Sequence, residues 1–395
     1  MNIHFFNPGH ETAVLNKSPY YMAPTNVMAM QRELAFLPAW YADRNDYVFV
    51  WDKNDLEYWK YLSDNLDGIA QPITKEELGG LSAQLCLWGI SPQAIHLWRE
   101  SNDLYNSQIV IPKWDDKYFA LTSRQVAKDC LMYIQSRIQK IDNELVPSFC
   151  FSLDEVESLV NASSYQLLAK APYSSSGRGL LWLPIGELTR TERQILSGIL
   201  KKQGSVSIEK ALNKRIDFAM EFMSDGVGNV TFSGYSFFET NTKGAYSGNI
   251  LDSQERLKKR IGVFVDFDLL DNIQECVEYF LSREYGSVYR GCIGIDMMIY
   301  LAEDGEFKIH PCVEINMRYN MGYLALQFTE EYLSHGSSGR FHIDFSPKEG
   351  EIFNQHLKLT EEHPAEFKNK KLAKGYLPLC PVQTNSHYWS YVLID

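Results

Sequence analysis

The sequence predicts an α/β unit built on a parallel sheet, followed by a larger α+β region that contains antiparallel strands. Apolar segments alternate with helical segments over residues 1–110, and this alternation is typical of a parallel sheet. Further along, two alternating segments flank Asp304-Gly305, a strong signal for a β-hairpin. The chain has 395 residues, 45% of them hydrophobic, so two or three domains with their own cores are expected.

The N-terminal unit is expected to begin with a strand. Helices are predicted from Thr25 or Asn26 to about Tyr41, and again after Ser91-Pro92. The strands are predicted at residues 2–6, 47–51 and 85–88.

A polar loop, Asn-Pro-Gly-His-Glu-Thr at residues 7–12, follows the first predicted strand. Ligands of parallel sheets bind beyond the carboxyl ends of the strands, so this loop is a candidate substrate-binding segment. Gly9 would allow a close backbone approach. The alternative is that His10 and Glu11 only cap the next segment.

A second candidate site begins at Lys170, which ends an apolar segment predicted to be a buried strand. Small hydroxyl residues and glycines follow it, and such a loop can bring backbone N–H groups close to phosphate oxygens. The lysine would add a positive charge. The candidate phosphate-binding residues of the loop are Ser174, Ser175, Ser176, Gly177 and Gly179. The alternative is an ordinary Ser/Gly hairpin turn.

The hairpin around Asp304-Gly305 carries the acidic residues. Strand side chains alternate, so Glu314 and Asn316 share one face. Folding about the turn brings Asp296 nearly opposite Glu314. Adjacent carboxylates repel unless a cation neutralises them, and oxygen-only ligands suit Mg²⁺, which usually arrives with phosphates. The alternative is the solvated polar face of a hairpin.

Together, these segments resemble the ATP-grasp superfamily over about residues 110–325. Two further landmarks contribute to the resemblance. Asp115-Asp116-Lys117 precedes an amphipathic helix predicted over residues 121–138, and Val206–Leu212 is similar to the family's hinge strand. The family's order is kept by the series Lys117, Lys170, Glu209, Asp296, Glu314, Asn316 and Arg318.

The resemblance implies ATP and Mg²⁺ as cofactors and a role for each residue. Lys117 and Lys170 would bind the α- and β-phosphates. The hinge residues that would meet the ribose and adenine are Glu209, Lys210 and Leu212, and the metal ligands would be Asp296, Glu314 and Asn316. Arg318 would steady the γ-phosphate or an acyl phosphate, with Arg290 as a second candidate. For either arginine the alternative is a structural salt bridge, for Arg318 perhaps with Glu314.

The reaction implied by the resemblance is ATP-dependent ligation of a carboxylate to an amine or a similar nucleophile, through an acyl phosphate. Two alternatives stay open: a phosphotransferase acting on a small molecule, and a nucleotide-binding regulatory protein without turnover. The complete set of lysines and metal ligands weighs against the latter. Met317 replaces the Pro or Thr common in the family, Asp296 replaces the commoner Glu, and the glycine loop is short and serine-rich. These departures leave the substrate open.

The resemblance implies three parts: an N-terminal α/β domain at residues 1–110, a lid subdomain at 111–205 and a C-terminal subdomain at 206–395, with the nucleotide held between the last two. In the C-terminal part, residues 215–222 and 232–238 are predicted to pair as a hairpin, and the polar segment 240–249 is a loop or part of the acceptor pocket. Helices are predicted over residues 269–284 and from Met321, and strands over residues 341–345 and 388–394.

The composition and charge of the chain limit the classes of molecule that it is expected to bind. The net charge of −12 argues against nucleic acid and anionic membranes, and no run of apolar residues is long enough for a membrane span. The first residues have no basic region and are broken by Pro8-Gly9, so no signal peptide is expected. Seven cysteines without a Cys-x-x-Cys pair predict free thiols in the cytoplasm. The expected partners are small carboxylate and amine substrates, with amino acids and peptides as candidates, and a homo-oligomer is compatible with the sequence.

Overall fold

The computed structural model describes residues 1–174, 179–240 and 246–395. Its N-terminal part is the predicted parallel sheet, with strand order β3-β2-β1-β4-β5. The elements of this part are β1 (Asn2–Phe5), α1 (His10–Asn16), α2 (Thr25–Glu33), β2 (Tyr47–Phe49), α3 (Asn54–Asn65), β3 (Gln71–Ile73), β4 (Ser82–Leu87), α4 (Pro92–Tyr105) and β5 (Gln108–Val110).

Helix α2 is shorter than predicted, and its N-cap is Pro24 rather than Thr25 or Asn26. The helix ends at Glu33, and a short 3-10 helix follows at Leu37–Trp40. Pro38 explains the early end, because its ring would clash with the carbonyl of Leu34 and it has no N–H to donate. By contrast, α4 begins as predicted: the Ser91 hydroxyl accepts a hydrogen bond from the Ala94 N–H at 3.2 Å.

Two helices connect the parallel sheet to the rest of the chain: α5 (Lys117–Leu121) and α6 (Arg124–Arg137). The predicted helix 121–138 therefore begins only at Arg124, after a Ser123 cap. Leu131 and Ile134 of α6 pack in the same core as Ile295 of the largest sheet. These helices thus lie on the large sheet, although the prediction placed them in the lid.

The lid has a small core of its own around Val156, Ala169 and Leu196. Its four-stranded sheet has the order β6-β9-β7-β8. The lid elements are β6 (Ser148–Cys150), α7 (Leu153–Ala162), β7 (Leu167–Lys170), β8 (Leu180–Leu183), α8 (Arg190–Gln203) and β9 (Val206–Lys210). Because β9 pairs with β6 and β7, the predicted boundary after residue 205 falls one strand before the end of this sheet.

The C-terminal part is a nine-stranded antiparallel sheet with the order β14-β13-β10-β11-β12-β15-β18-β17-β16. Its elements are β10 (Asn213–Asp225), β11 (Val230–Thr240), β12 (Tyr246–Leu251), α9 (Gln254–Gly262), α10 (Phe267–Glu284), β13 (Arg290–Leu301), β14 (Phe307–Asn316), α11 (Met321–Tyr332), β15 (Gly339–Phe345), α12 (Glu351–Glu362), β16 (Glu366–Lys368), β17 (Lys371–Pro378) and β18 (Tyr388–Ile394). The predicted pairing of residues 215–222 with 232–238 is confirmed as β10 and β11.

One face of this sheet is apolar and covered by α10. Phe218, Phe222 and Ile295 are fully buried with Ile273 and Val277 of the helix. Fully burying a side chain of this size stabilises the fold by about 1.5–3 kcal/mol. The apolar face therefore anchors the sheet and leaves the opposite face for polar residues.

The predicted turn of the β13–β14 hairpin is confirmed. Gly305 has a left-handed backbone (φ 85°), and the Ala302 N–H donates to the Glu306 carbonyl at 2.9 Å. Within the described ranges, no helix combines the length and the apolar character that crossing a bilayer requires.

The packing of β15 against β18 can be tested at Gly339. A Cβ atom there would overlap the Leu393 carbonyl oxygen and lie 2.8 Å from Ile394 Cα, both backbone atoms. We expect Gly339→Ala to lower the free energy of unfolding by about 1–3 kcal/mol in denaturant titrations. Gly198→Ala is the matched control, because nothing lies within 4 Å of its Cβ position in α8. It should gain up to about 1 kcal/mol, and equal losses in both variants would contradict this account.

Candidate active site

The β13–β14 register places the acidic residues on one face. Asp296 lies directly opposite Glu314, and Gly294 lies opposite Asn316, so the predicted juxtaposition is confirmed. Residues directly opposite each other point to the same side of a sheet. The side chains of Asp296, Glu314 and Asn316 therefore share the polar face.

Burial raises the pKa of Asp296 well above its usual range, and the neighbouring carboxylates of Glu314 and Glu221 raise it further. A carboxylate pair of this kind is stabilised by a cation. In the described parts of the chain, no three His, Cys, Asp or Glu side chains are grouped to hold a metal ion. A metal here would need the Asn316 amide oxygen as its third donor, and such an all-oxygen set fits Mg²⁺.

Asp296, Glu314 and Asn316 are called the triad below. Arg318 lies two residues after Asn316 and is largely buried, with 16% of its side chain exposed. Its Nε donates to Glu11 Oε1 at 2.6 Å and its Nη2 to Asn316 Oδ1 at 3.1 Å. The structural partner of Arg318 is therefore Glu11 and not Glu314. Burial alone would raise the pKa of Glu11, but the Arg318 guanidinium and His10 outweigh burial and lower it to about 2.

The N-terminal loop at residues 7–12 thus lies beside Arg318. Asn7 Nδ2 donates to the Gly89 carbonyl at 2.7 Å, which fixes the loop between β1 and β4. Burial lowers the pKa of His10 to about 4, so its imidazole is neutral at pH 7. Neither ring nitrogen has a hydrogen-bond partner among the described residues. Glu11 binds Arg318 instead of capping α1, whose N-cap is Gly9.

Lys170 ends β7 on the lid, with 5% of the residue exposed, and forms an ion pair with Glu209 of β9. Both line a small cavity between the lid sheet and β14, together with His310. Burial lowers the pKa of His310 to about 4, so this imidazole is also neutral at pH 7. The cavity brings Lys170 and Glu209 to the edge of the strand that carries Glu314.

The loop after Lys170 is closed at its base. The Ala171 N–H donates to the Gly179 carbonyl at 3.0 Å, and Ser174 Oγ donates to the Ala171 carbonyl at 3.0 Å. Gly179 has a left-handed backbone (φ 78°) that a glycine adopts without strain. The predicted phosphate-binding residues Ser175, Ser176 and Gly177 lie outside the described residues.

Four other residues that were predicted to belong to the site lie away from the triad. Lys117 is exposed at the start of α5. Lys210 Nζ bonds to Glu303 at 2.8 Å, at the surface. Leu212 packs against the main core. Arg290 is exposed at the start of β13, six residues from Asp296, or about 20 Å along the strand, so the structure separates it from the triad.

Arg124 was not predicted, yet it contacts the triad. Its Nη2 lies 2.9 Å from Glu314 Oε2, and its Nε donates to the Ala171 carbonyl at 3.2 Å. It therefore supplies positive charge between the metal-ligand candidates and the base of the loop. The available signal in the sequence was its position directly after Ser123, a residue type that caps helices, which places Arg124 in the first turn of α6.

Glu221 was also missed, although it lies in a predicted strand. It is opposite Gly294 in β13, which places it on the polar face, and it is 1% exposed. Burial raises its pKa to about 7 despite hydrogen bonds from Asn320 and Ser236. Its alternation with Asp217 along β10 was the available signal.

No protein-family model matches the sequence, and no curated protein matches it. Solved structures do match the fold. The biotin carboxylase of Campylobacter jejuni in complex with β,γ-ATP superposes with a TM-score of 0.51 at 10% identity, covering 100% of this chain and 87% of that one. The chain has the ATP-grasp fold.

A second ATP-grasp structure supports this conclusion. It is the biotin carboxylase domain of the 2-oxoglutarate carboxylase from Hydrogenobacter thermophilus, in complex with MgADP, ADP and bicarbonate. It has a TM-score of 0.50 at 10% identity, covering 100% of this chain and 86% of that one. The predicted architecture, a parallel-sheet unit followed by a lid and a large antiparallel sheet, is confirmed.

The buried carboxyl group of Glu221 gives a test by the pH dependence of stability. Between its ordinary pKa of 4.5 and the folded value of about 7, Glu221 holds a proton that the unfolded chain releases. Its contribution to stability is complete below pH 4.5 and falls by about 3 kcal/mol as the pH rises through 7. We expect the unfolding free energy of Glu221→Gln to depend less steeply on pH than that of the wild type.

The measurement is a set of denaturant titrations between pH 5 and 8, comparing slopes rather than absolute stabilities. Glu361→Gln, at an exposed position in α12, is the matched control and should keep the wild-type slope. A wild-type slope in Glu221→Gln would show that Glu221 is already ionised in the folded protein at pH 5.

Proposed function

We propose that the protein is an ATP- and Mg²⁺-dependent ligase that joins a carboxylate to an amine through an acyl phosphate. The observation that supports it most is the placement of Asp296 opposite Glu314, with Asn316 on the same face and Arg318 next to it. Phosphoryl transfer needs charge neutralisation and positioning more than covalent chemistry from the protein. The carboxylates of this cluster, with a bound Mg²⁺, and the Arg318 guanidinium could provide both the charge neutralisation and the positioning.

The cofactor would lie between the lid and the large sheet. Asp296, Glu314 and Asn316 would hold Mg²⁺. Lys170 and the backbone of the 174–179 loop would bind phosphate oxygens, with Lys117 as a further candidate. Residues 209–212 would meet the ribose and adenine. When bound, Mg-ATP supplies the phosphoryl group that activates the carboxylate.

The arginines would handle the charge of the reacting groups. Arg318 has a rigid set of donors suited to carboxylate and phosphoryl oxygens. Its ion pair with Glu11 holds the guanidinium, and its Nη2 points to Asn316. Arg124 balances the charge of Glu314 from the other side. We give Arg290 no direct role, because it lies far along β13.

The acceptor would bind at the N-terminal loop of residues 7–12. The His10 imidazole of this loop is neutral and buried, so it would support the backbone of the loop rather than contact the amine itself. Glu11 joins this loop to Arg318, so an acceptor here would be next to the activated carboxylate. Small amines such as amino acids and peptides suit a site of this kind. The cysteines are free thiols, which fits a cytoplasmic setting.

The reaction class can be tested by incubating the protein with ATP, Mg²⁺ and panels of amino acids and small peptides. We expect ADP and phosphate to appear only when both a carboxylate and an amine are supplied, with a condensed product in mass spectrometry. A stable phosphorylated product would indicate a phosphotransferase instead. Stabilisation by Mg-ATP, about 2.7 kcal/mol at 100 times the dissociation constant, without any turnover would indicate a regulatory protein.

The role of the triad can be tested with Glu314→Gln, which keeps the size of the side chain and removes its charge. We expect kcat to fall by about 10²–10³, while ATP affinity falls less because Lys170 and the hinge still bind the nucleotide. Glu306→Gln is the matched control, since it is exposed in the turn of the same hairpin. ADP formation, ATP affinity and a melting curve are measured for each protein. A folded Glu314→Gln with normal kcat would make the hairpin structural.

A further inference from the structure

Glu221 is a buried carboxyl group that the proposed reaction leaves without a role. It lies on the polar face of the large sheet, one strand from the triad, because it is opposite Gly294 of β13. At 1% exposure it cannot touch a substrate. Burying a carboxyl group is costly unless hydrogen bonds compensate, so its retention at this position calls for an explanation.

The residues around Glu221 provide hydrogen-bond donors and space for its carboxyl group. Asn320 Nδ2 donates to Oε2 at 2.8 Å, and Ser236 Oγ donates to Oε1 at 2.9 Å. A Cβ atom on Gly294 would lie 2.9 Å from Oε2, and one on Gly322 would overlap Oε1. Two glycines on different elements therefore leave the room that this carboxyl group occupies.

Asn320 connects this group to the active site. Its Oδ1 accepts a hydrogen bond from the Tyr323 N–H at 2.8 Å and so caps α11, while its Nδ2 binds Glu221. Both ends of the amide are used, which fixes its orientation. Asn320 therefore connects the start of α11 to β10 by a side-chain hydrogen bond.

Only residues 317–319 separate this cap from the end of β14. The Arg318 N–H donates to the Asn316 carbonyl at 2.9 Å, and the Tyr319 N–H donates to the Trp88 carbonyl at 2.9 Å. Because the connection is this short, a displacement of Asn320 would act on the backbone of Arg318. Groups that act on a transferring phosphoryl must be placed within a fraction of an ångström.

We propose that Glu221 is a positioning residue: through Asn320 it fixes the start of α11 and holds Arg318 in the orientation that phosphoryl transfer needs. This role rests on the proposed function, but the Glu221–Asn320 bond and its effect on the backbone do not. The backbone dynamics around Arg318 and the turnover can therefore be measured independently.

The test exchanges the donor and the acceptor of the Asn320–Glu221 hydrogen bond. Glu221→Gln keeps a side-chain oxygen that can still accept from Asn320, with its N–H₂ towards the Ser236 hydroxyl. Asn320→Asp removes the donor and places two carboxylates together at pH 8, above the Glu221 pKa of about 7. Asn320→Asp should therefore disrupt the contact, whereas Glu221→Gln should keep it. In the double variant E221Q/N320D the Gln amide donates to the Asp carboxylate, and Asp keeps its ability to cap α11. The double variant should therefore restore the bond, and the four proteins form a double-mutant cycle.

Two readouts are measured on folded protein, as judged by melting curves. Hydrogen exchange of the peptide covering residues 317–324 should be faster in Asn320→Asp than in the wild type or Glu221→Gln, and return towards the wild-type rate in the double variant. In the ADP-formation assay, kcat should fall at least about tenfold in Asn320→Asp and recover in the double variant, while KM for ATP changes less, since the proposed lysine and hinge contacts to the nucleotide would lie on the lid.

The outcomes separate the two proposals. A wild-type exchange rate in folded Asn320→Asp, or no return towards that rate in the double variant, would overturn the positioning role, whatever the activity. Faster exchange with unchanged kcat would also overturn it, because Arg318 would then not depend on the bond. A wild-type protein without ATP turnover would refute the proposed function, and the catalytic part of the positioning role with it, while exchange would still report on the bond itself.

Discussion

The concentration of carboxylates on one face of the large sheet is the constraint on which the rest of the structure depends. Asp296 and Glu314 face each other across β13 and β14, and burial raises the pKa of Asp296. Such a face is stable only with positive charge, and two arginines from outside the strands of the sheet provide it. Arg318 also binds Glu11, and removing one partner from a buried pair of this kind costs about 3–5 kcal/mol.

These charge contacts also assemble the three parts of the molecule. Arg318 joins the large sheet to the N-terminal loop through Glu11, and a backbone bond from Tyr319 to Trp88 runs beside it. Arg124 joins the large sheet to the lid, because it contacts both Glu314 and the Ala171 carbonyl. The groups that neutralise the acidic face thus also contact the N-terminal loop, at Glu11, and the end of β7 in the lid, at the Ala171 carbonyl. A change in charge at this face, such as arrival of a metal nucleotide, would act on both connections.

The buried carboxyl group of Glu221 on the same face is stabilised in a different way. It has no arginine partner, and hydrogen bonds from Asn320 and Ser236 stabilise it instead. A group held in this way is sensitive to its protonation state, because its donors favour the carboxylate while burial favours the acid. The two glycines that leave room for it lie on β13 and α11, so its carboxyl group packs directly against both elements.

The sequence by itself determined the local features. The common face of Glu314 and Asn316 follows from the two-residue period of strands, and the start of α4 follows from Ser91 and Pro92. These depend on neighbours along the chain, where propensity and sterics act directly. The turn alone would place Asp296 opposite Cys312, and an irregularity between Asp296 and Met298 sets it opposite Glu314 instead. Only the tertiary structure decided which elements meet. It paired Glu11 with Arg318 and Arg124 with Glu314, put β9 in the lid sheet, laid α6 on the large sheet and separated Arg290 from the triad. Those outcomes depend on packing between segments far apart in sequence, and no local pattern encodes which distant charge or face a residue will meet.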